Sequence, residues 1–414
     1  MMTQQVIPCT LFIHFNEMYM TQIPSVIQVQ RIKVITAGIC AVILTVGIAR
    51  FTYTPFLPLM LKQTDLSLVN SGWLATFNYI GYLMGVLLVS FTNNLSFKFR
   101  FYQCCLLVAV LSTIAMGMTT ELYGWVVLRF IAGVSGTAGV ILSSGFVLSW
   151  LKHHQLKPEL GLHFMGLGLG IAIPGTAVVL MNHFFAWDSQ WILMGLFGIV
   201  FFIPAWLWIP PPHSTQHKAS QTLAEPPRSW MIKLILAYAC AGVGYVVSAT
   251  FIVAILENMP QLAGKGDWIW VVLGLAAAPA CFLWDKAANK AGEINTLLLT
   301  YVLQTVAILI PVLSDSLLAN LIAAAIFGCT FTGIVSLMLT FIGHKFPKNP
   351  AKAMARLTIC YGIAQIIAPA AAGYLASHNG NYNLALMLTA MIMVAGMVFL
   401  IAVKREKFVT VNLD

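Results

Sequence analysis

The sequence predicts an all-α integral membrane protein with twelve transmembrane helices in two pseudo-symmetric halves of six. Composition is the first reason: 59% of the 414 residues are hydrophobic and only 8% are charged, whereas soluble domains carry about 25% charged residues. The second is that apolar segments of about 20 residues, long enough to cross a bilayer, recur between polar breaks. Helices are expected because backbone groups in lipid must be satisfied internally, and the alternating pattern of a barrel is absent.

The third reason is an internal repeat. A polar, proline-rich stretch, PPPHSTQHKASQTLAEPPRSW, separates six predicted spans from six. An offset of 195 residues then pairs Trp73 with Trp268 and Pro174 with Pro369. The predicted division is a cytoplasmic tail 1–30, an N-terminal half 31–209, a cytoplasmic linker 210–230, a C-terminal half 231–403 and a cytoplasmic tail 404–414. A misplaced start codon is an alternative interpretation of the first 30 residues.

The basic residues report orientation rather than a nucleic-acid partner. All but four of the 22 Lys and Arg residues fall on one side of the predicted spans, which the positive-inside rule assigns to the cytoplasm. Both termini are then expected in the cytoplasm. Lys62 and Lys265 fall on the other side, and Arg50 and Arg129 lie within spans. No metal spacing, cofactor motif or catalytic motif is visible, so no metal, no cofactor and no enzyme activity are expected.

Three stretches resemble the major facilitator superfamily of transporters. They are GIARFTYTPFLP (Gly47–Pro58) in the first span, RFIAGVSGTAGV (Arg129–Val140) in the fourth and YGIAQIIAPAAAGYL (Tyr361–Leu375) in the eleventh. The first is similar to the YbfB/YjiJ-like bacterial branch, and the second to the superfamily's Arg-x-x-x-Gly motif. The resemblance implies a secondary carrier of the bacterial inner membrane that works by alternating access around a site between its halves.

The resemblance also implies a cytoplasmic gate. The loop after the eighth span, WDKAANKAG, carries Asp285 and Lys286, and the loop after the second span, SFTNNLSFKFR, keeps Lys98 and Arg100. The second-span loop departs from the family motif, because asparagines stand where the family has an acid.

Arg50 is the main candidate substrate contact. It lies deep within the first span, where a charge costs about 2.5–3.5 kcal/mol even on the lenient insertion scale. Pro55 cannot donate to the carbonyl of Phe51, so a helix bend with an unpaired acceptor is expected beside the charge. The alternative is a structural Arg50 that reaches the headgroups or a backbone carbonyl.

Arg129 has two interpretations that the sequence leaves equally open, a second substrate contact or a brace on backbone carbonyls. None of the 13 acidic residues lies in the middle of a predicted span. Two buried cations without a buried acid favour an anionic substrate that would supply the partner. Other candidate substrate contacts are polar side chains within spans, namely Tyr53, Asn78, Tyr82, Tyr245, Tyr361 and Gln365.

The sequence therefore predicts a secondary carrier of a small solute, with an organic anion favoured. One alternative is an efflux carrier for neutral or amphipathic compounds, and a weaker one is a membrane receptor without transport activity. A coupling proton, for which His163 is a candidate carrier, or a counter-transported anion is a further expected partner. A monomer in the lipid bilayer is expected. The tryptophans near span ends, among them Trp125, Trp191 and Trp270, are expected at the membrane interface.

Overall fold

The computed structural model describes residues 25–92, 94–156, 160–182, 184–211, 226–257, 265–346 and 350–406. Within these ranges, 11 helices are long and apolar enough to cross a membrane, and one bent pair makes up to 12. The predicted all-α membrane fold is confirmed. Much of the predicted tail 1–30, most of the linker 210–230, most of the tail 404–414 and Asn93 of the second-span loop lie outside the described residues.

Nine of the spans are single helices. They are α2 (Leu68–Ser90), α3 (Leu95–Met116), α5 (Leu160–Met181), α6 (Trp187–Trp208), α7 (Arg228–Glu257), α9 (Glu293–Leu313), α10 (Leu317–Lys345), α11 (Pro350–Asn379) and α12 (Asn383–Arg405).

Three spans are irregular. α1 joins Ser25–Val42, a π-helical segment Ile43–Phe51 and Tyr53–Gln63, and α4 joins Leu122–Thr137, a π-helical segment Ala138–Leu142 and Ser143–His153. α8 consists of Gly266–Ala277 and Ala280–Ala291, which meet at 47° after Pro279. Proline interrupts a helix by removing a donor, and π-helical turns are frequent at functional sites.

The 195-residue offset holds in three dimensions. One apolar cleft lies between α5 and α6, and a second lies between α11 and α12. Their linings use matching positions: Leu169, Ile173 and Leu193 in the first cleft correspond to Ala364, Ala368 and Leu388 in the second. The side chain of Thr54 donates to the carbonyl of Ala249, which is the residue at its own repeat position. The structure is therefore organised as two related six-helix halves.

The bundle has two ends, which we call the Lys62 end and the Lys98 end after the residues that mark them. The halves hold each other toward the Lys62 end. The hydroxyl of Thr76 in α2 donates to the carbonyl of Ile366 in α11 at 2.8 Å, and Asn182 after α5 donates to the carboxylate of Asp267 in α8. Lys62 lies 4.0 Å from Glu257 at the end of α7.

Several tryptophans lie in the core rather than at the membrane interface, so the expectation for them is wrong. Trp191 is fully buried and its ring meets Phe56 edge to face at 4.9 Å. Trp270 is also fully buried and meets Phe51 at 6.1 Å. Both indoles contact α1 inside the bundle, Trp191 from the same half and Trp270 from the other half, and edge-to-face aromatic pairs stabilise such contacts.

Candidate functional site

Arg50 lies in the π-helical segment of α1 and is buried, with 7% of its surface exposed. Its guanidinium carbon lies 4.2 Å from the ring centre of Tyr79 and 5.1 Å from that of Tyr82, both in α2. Its Nε has no hydrogen-bond partner, and no salt bridge reaches it from the described residues. Desolvated cation–π contacts are worth about 2 kcal/mol. Aromatic faces, rather than an acid, therefore hold this cation.

Arg129 braces the irregular part of α1. Its Nη1 donates to the carbonyls of Ala49 and Arg50, each at 3.3 Å, and its guanidinium lies 4.5 Å from the ring centre of Tyr53. In the π-helical pattern, the N–H of Thr52 bonds to the carbonyl of Gly47, five residues earlier. The carbonyl of Arg50 would need the N–H of residue 55, which is Pro55. Of the two interpretations of Arg129, the contacts favour the carbonyl brace.

Asn78 and Tyr53 hold this arrangement in place. The amide of Asn78 donates to the carbonyl of Arg129 at 2.8 Å, while its Oδ1 has no partner in the described part of the chain. The hydroxyl of Tyr53 donates to the carbonyl of Ser71 at 2.9 Å. Tyr53 therefore holds α1 against α2, and Asn78 holds α2 against α4. The Oδ1 of Asn78 keeps an acceptor free.

The C-terminal half presents aromatic rings. Tyr245 of α7 stacks on Phe331 of α10 at 5.0 Å and on Tyr361 of α11 at 6.2 Å, and Tyr361 stacks on Tyr238 at 4.4 Å. Ala249, one turn beyond Tyr245 on α7, lines a pocket together with Arg50. Gln365 is buried one turn beyond Tyr361. The structure thus brings Tyr245 to Arg50 across the two halves.

Tyr79, Tyr238 and Phe331 were not among the predicted contacts. A signal for Tyr79 was present, because Tyr79 and Tyr82 are three residues apart on α2 and so share one helix face. No comparable signal exists for Tyr238 and Phe331, which lie on different helices and meet only in the folded chain.

The space beside the two arginines is closed. A pocket of about 10 Å³ is lined by Arg50, Phe51, Tyr53, Thr54, Ala75, Asn78, Tyr79, Arg129, Ala249 and Thr250. That volume is far below the roughly 300–1,000 Å³ of small-molecule sites. The pocket in this conformation is therefore too small to hold a solute.

Glycines let the two halves approach closely beside this pocket. A Cβ on Gly72 of α2 would lie 2.5 Å from the carbonyl oxygen of Pro369 in α11, and a Cβ on Gly168 of α5 would meet the backbone of Ala278. Within the N-terminal half, Gly47 packs backbone to backbone on Gly170. Small residues at such crossings allow close helix packing in membranes.

The predicted gate residues lie on the surface of the Lys98 end. Lys98 is half-buried at the start of α3, and Arg100, Asp285 and Lys286 are exposed. The ammonium of Lys286 lies 4.7 Å from the ring centre of Phe282. In the described ranges no ion pair joins these four residues, so their gating role stays a prediction.

His163 lies apart from the Arg50 cluster. It is buried early in α5, where its Nε2 lies 3.4 Å from the hydroxyl of Ser143 and its Nδ1 has no partner in the described chain. Gly38 of α1 packs directly on the ring. Its proposed role in proton coupling stays a prediction.

A polytopic helical bundle with a closed, buried site between two related halves defines a membrane transport protein. Over residues 42–401 the chain matches the family described as "Uncharacterised MFS-type transporter YbfB", where MFS stands for major facilitator superfamily. The chain belongs to this family of MFS-type transporters, and it is a multi-pass membrane protein.

Relatives and solved structures agree with this assignment. Proteins described as "Uncharacterized MFS-type transporter YcaD" from Salmonella paratyphi B and Salmonella typhi are each 23% identical over 365 residues, which cover 84% of this chain and 90% of theirs. The crystal structure of the nucleoside transporter NupG has a TM-score of 0.73 at 12% identity and covers 91% of this chain and 100% of its own. A single-site mutant of NupG has a TM-score of 0.73 at 10% identity, covering 90% and 99%. At these identities the structural likeness shows the fold alone.

Proposed function

We propose that this transporter moves a small organic anion across the bacterial inner membrane by alternating access, with Arg50 as the main contact to the anion. The observation that carries this proposal is a buried guanidinium with an unpartnered Nε and no acidic neighbour in the described chain. A charge at membrane depth normally faces a partner or a cavity. A carboxylate or similar anion would supply that partner through charge-assisted hydrogen bonds.

The other predicted residues take more specific parts in this proposal. Arg129 and Tyr53 position α1 through bonds to backbone carbonyls, and Asn78 holds α2 against α4 through the carbonyl of Arg129. Tyr82 stabilises the Arg50 cation from α2, and Tyr245 approaches it from the other half. Tyr361 and Gln365 would line the path on α11 once the halves separate.

The bias of basic residues places the Lys98 end, and with it both termini, in the cytoplasm. In that orientation the contacts toward the Lys62 end close the site to the outside. Lys98, Arg100, Asp285 and Lys286 would then form contacts only when the Lys98 end closes. Rocking of the halves about the Arg50 level would expose the site to each side in turn. A proton or a counter-transported anion is the proposed coupling partner.

A second candidate is an efflux carrier for neutral amphipathic compounds, with Arg50 structural. The observation in its favour is that π faces already stabilise Arg50, so the cation does not require an anion. The two candidates differ in whether binding needs the charge of residue 50.

Thermal stabilisation of the detergent-purified protein by small carboxylates, compared with neutral amphipathic compounds, tests the choice. A ligand that binds the folded state raises the melting temperature by mass action. We expect carboxylates to stabilise the wild type and to lose this effect in Arg50→Gln. Lys33→Gln is the matched control, because it removes the same charge from α1 at an exposed side chain. Equal carboxylate stabilisation of Arg50→Gln and wild type would contradict the proposal.

A further inference from the structure

Four aromatic rings from three helices form a continuous near-parallel stack in the C-terminal half, and Phe327, one turn before Phe331 on α10, extends it by a fifth. Successive ring pairs, from Tyr238 through Tyr361 and Tyr245 to Phe331, have interplanar angles of 21°, 19° and 27°. The four rings come from α7, α10 and α11. Each has at most 8% of its surface exposed. This stack contains more rings, in a more uniform orientation, than the edge-to-face aromatic pairs elsewhere in the core.

The fold itself does not require this stack. The N-terminal half builds the same helices at the same repeat positions with other side chains. The counterparts of Tyr238, Tyr361, Tyr245 and Phe331 are Ile43, Gly166, Arg50 and Gly136. Since one copy of the architecture packs without these rings, their presence in the other copy calls for a reason beyond packing.

Arg50 and α7, the helix that carries Tyr245, meet across the interface between the halves. Ala249 and Thr250 of α7 line the same pocket as Arg50, and Ala249 lies one turn beyond Tyr245. Tyr245 is also the stack member within electrostatic reach of Arg50. A small anion held by the Arg50 guanidinium would therefore have Tyr245 as its neighbour in the C-terminal half. The rest of the stack extends from Tyr245 over α10 and α11, which can contact the body of a ligand but offers it no charge.

From this juxtaposition, and resting on the proposed function, we propose that the transported anions are aromatic carboxylates: the carboxylate binds Arg50 and the ring packs against the edges of the Tyr245 and Tyr361 rings, whose faces are covered by their neighbours in the stack. Edge-to-face aromatic pairs add stabilisation beyond the area they bury. That contribution corresponds to roughly three- to tenfold in affinity for one ring. Tyr245 is then a specificity-determining residue, whereas Arg50 determines binding of the charge.

Matched ligands separate the two claims. Benzoate and cyclohexanecarboxylate carry the same charge on a six-membered ring, but only benzoate is aromatic, and benzamide keeps the aromatic ring without the charge. Naphthalene-2-carboxylate and its fully saturated analogue form a second, larger pair. The measurement is the affinity of each compound, from thermal shifts over a concentration series on detergent-purified full-length protein.

We expect each aromatic carboxylate to bind three- to tenfold more tightly than its saturated partner, and benzamide not to bind. Tyr245→Leu should bring the two members of each pair to equal affinity while Arg50-dependent binding persists. Tyr245→Phe should restore the preference, since it keeps the ring and removes only the hydroxyl. If Tyr245→Leu does not fold, Tyr361→Leu with Tyr361→Phe applies the same test to the second ring of the stack.

The remaining outcomes each overturn one claim. Equal affinity of aromatic and saturated carboxylates in the wild type, lost in Arg50→Gln, would overturn the aromatic preference and leave the anion proposal standing. Binding of benzamide as tight as that of benzoate would overturn the anion proposal itself. No binding of any compound would overturn both.

Discussion

α1 and α7 occupy equivalent places in the two halves, yet they are built differently. α1 is interrupted by the π-helical segment Ile43–Phe51 and carries Arg50 there, whereas α7 runs unbroken over Arg228–Glu257 and has Tyr245 at the equivalent position. The N-terminal half thus places a cation, Arg50, at the position where the C-terminal half places an aromatic ring, Tyr245. Since the shared architecture accommodates either residue, the polarity of the region between the halves is determined by the individual side chains and not by the fold.

The comparison also separates the two arginines of the N-terminal half. Arg129 bonds to two carbonyls of α1, and the equivalent residue of the C-terminal half is Ala324, where α7 is regular and needs no brace. Arg50 bonds to no backbone group among the described contacts. A brace and a ligand contact should respond differently to removal.

The largest expected effect is that of Arg129→Leu on stability. The change leaves the carbonyls of Ala49 and Arg50 without their donor, at a cost of about 1–3 kcal/mol for each buried group. Arg50→Leu should cost less, because the cation–π contacts that it loses are offset by removal of a buried charge without an acidic partner. Melting temperatures of the two variants without ligand check this contrast. A larger loss for Arg50→Leu than for Arg129→Leu would reverse the assigned roles.

An intermediate effect is expected at the contact between the halves. Gly72 of α2 and Asp267 of α8 occupy equivalent positions in the two halves. Gly72 packs directly on the backbone of Pro369, whereas Asp267 accepts a hydrogen bond from Asn182. Gly72→Ala places a methyl group against the backbone of Pro369, and such overpacking costs about 1–3 kcal/mol. Hydrogen exchange of α2 and α11 should accelerate toward the Lys62 end.

Gly145→Ala is the control for this prediction. Gly145 lies in α4, and a Cβ added there meets no atom within 4 Å. We expect its exchange and melting temperature to match the wild type. Equal protection of α2 and α11 in Gly72→Ala and Gly145→Ala would show that the close approach at Gly72 does not hold the halves together.

The smallest effect concerns an ion pair present only in the C-terminal half. Lys233 of α7 and Glu406 after α12 lie 2.7 Å apart, and the equivalent positions are Gly38 and Pro211. Hydrogen bonds from Lys233 and Ser229 lower the pKa of Glu406 below its ordinary value of 4.5. Stabilisation from this group is therefore present above pH 4.5 and is lost as the pH falls through the lowered pKa.

Melting temperatures of the wild type and Lys233→Gln, measured between neutral pH and acid, test this ion pair. The wild type should be slightly more stable at neutral pH, since solvent-exposed ion pairs contribute little to stability, and the difference should vanish in acid. High salt should reduce the difference at neutral pH. A difference that persists unchanged in acid would assign it to another cause.

The spans, their number and the internal repeat could be predicted because they depend on local composition. Arg50 could be predicted as a candidate site residue because a charged residue within an apolar segment can be recognised from the sequence alone. The bend expected beside Pro55 appears instead as a π-helical segment that ends at Phe51. Proline removes a donor in any context, but its neighbours decide how the helix accommodates the loss. Here Arg129, on a helix about 80 residues further along the chain, donates to the carbonyls of Ala49 and Arg50 rather than to that of Phe51.

The sequence alone determined the apolar spans and the bias of the basic residues. Both follow from the free energy of placing apolar and charged groups in lipid, which each segment sets by itself. Only the tertiary structure decided that Arg129 binds carbonyls, that Trp191 and Trp270 are buried, and that Tyr245 joins Tyr238, Tyr361 and Phe331 beside Arg50. Those relations depend on which helix faces meet. Helix contacts in a membrane are set by shape and hydrogen bonding between distant segments, and hydrophobicity does not select among them.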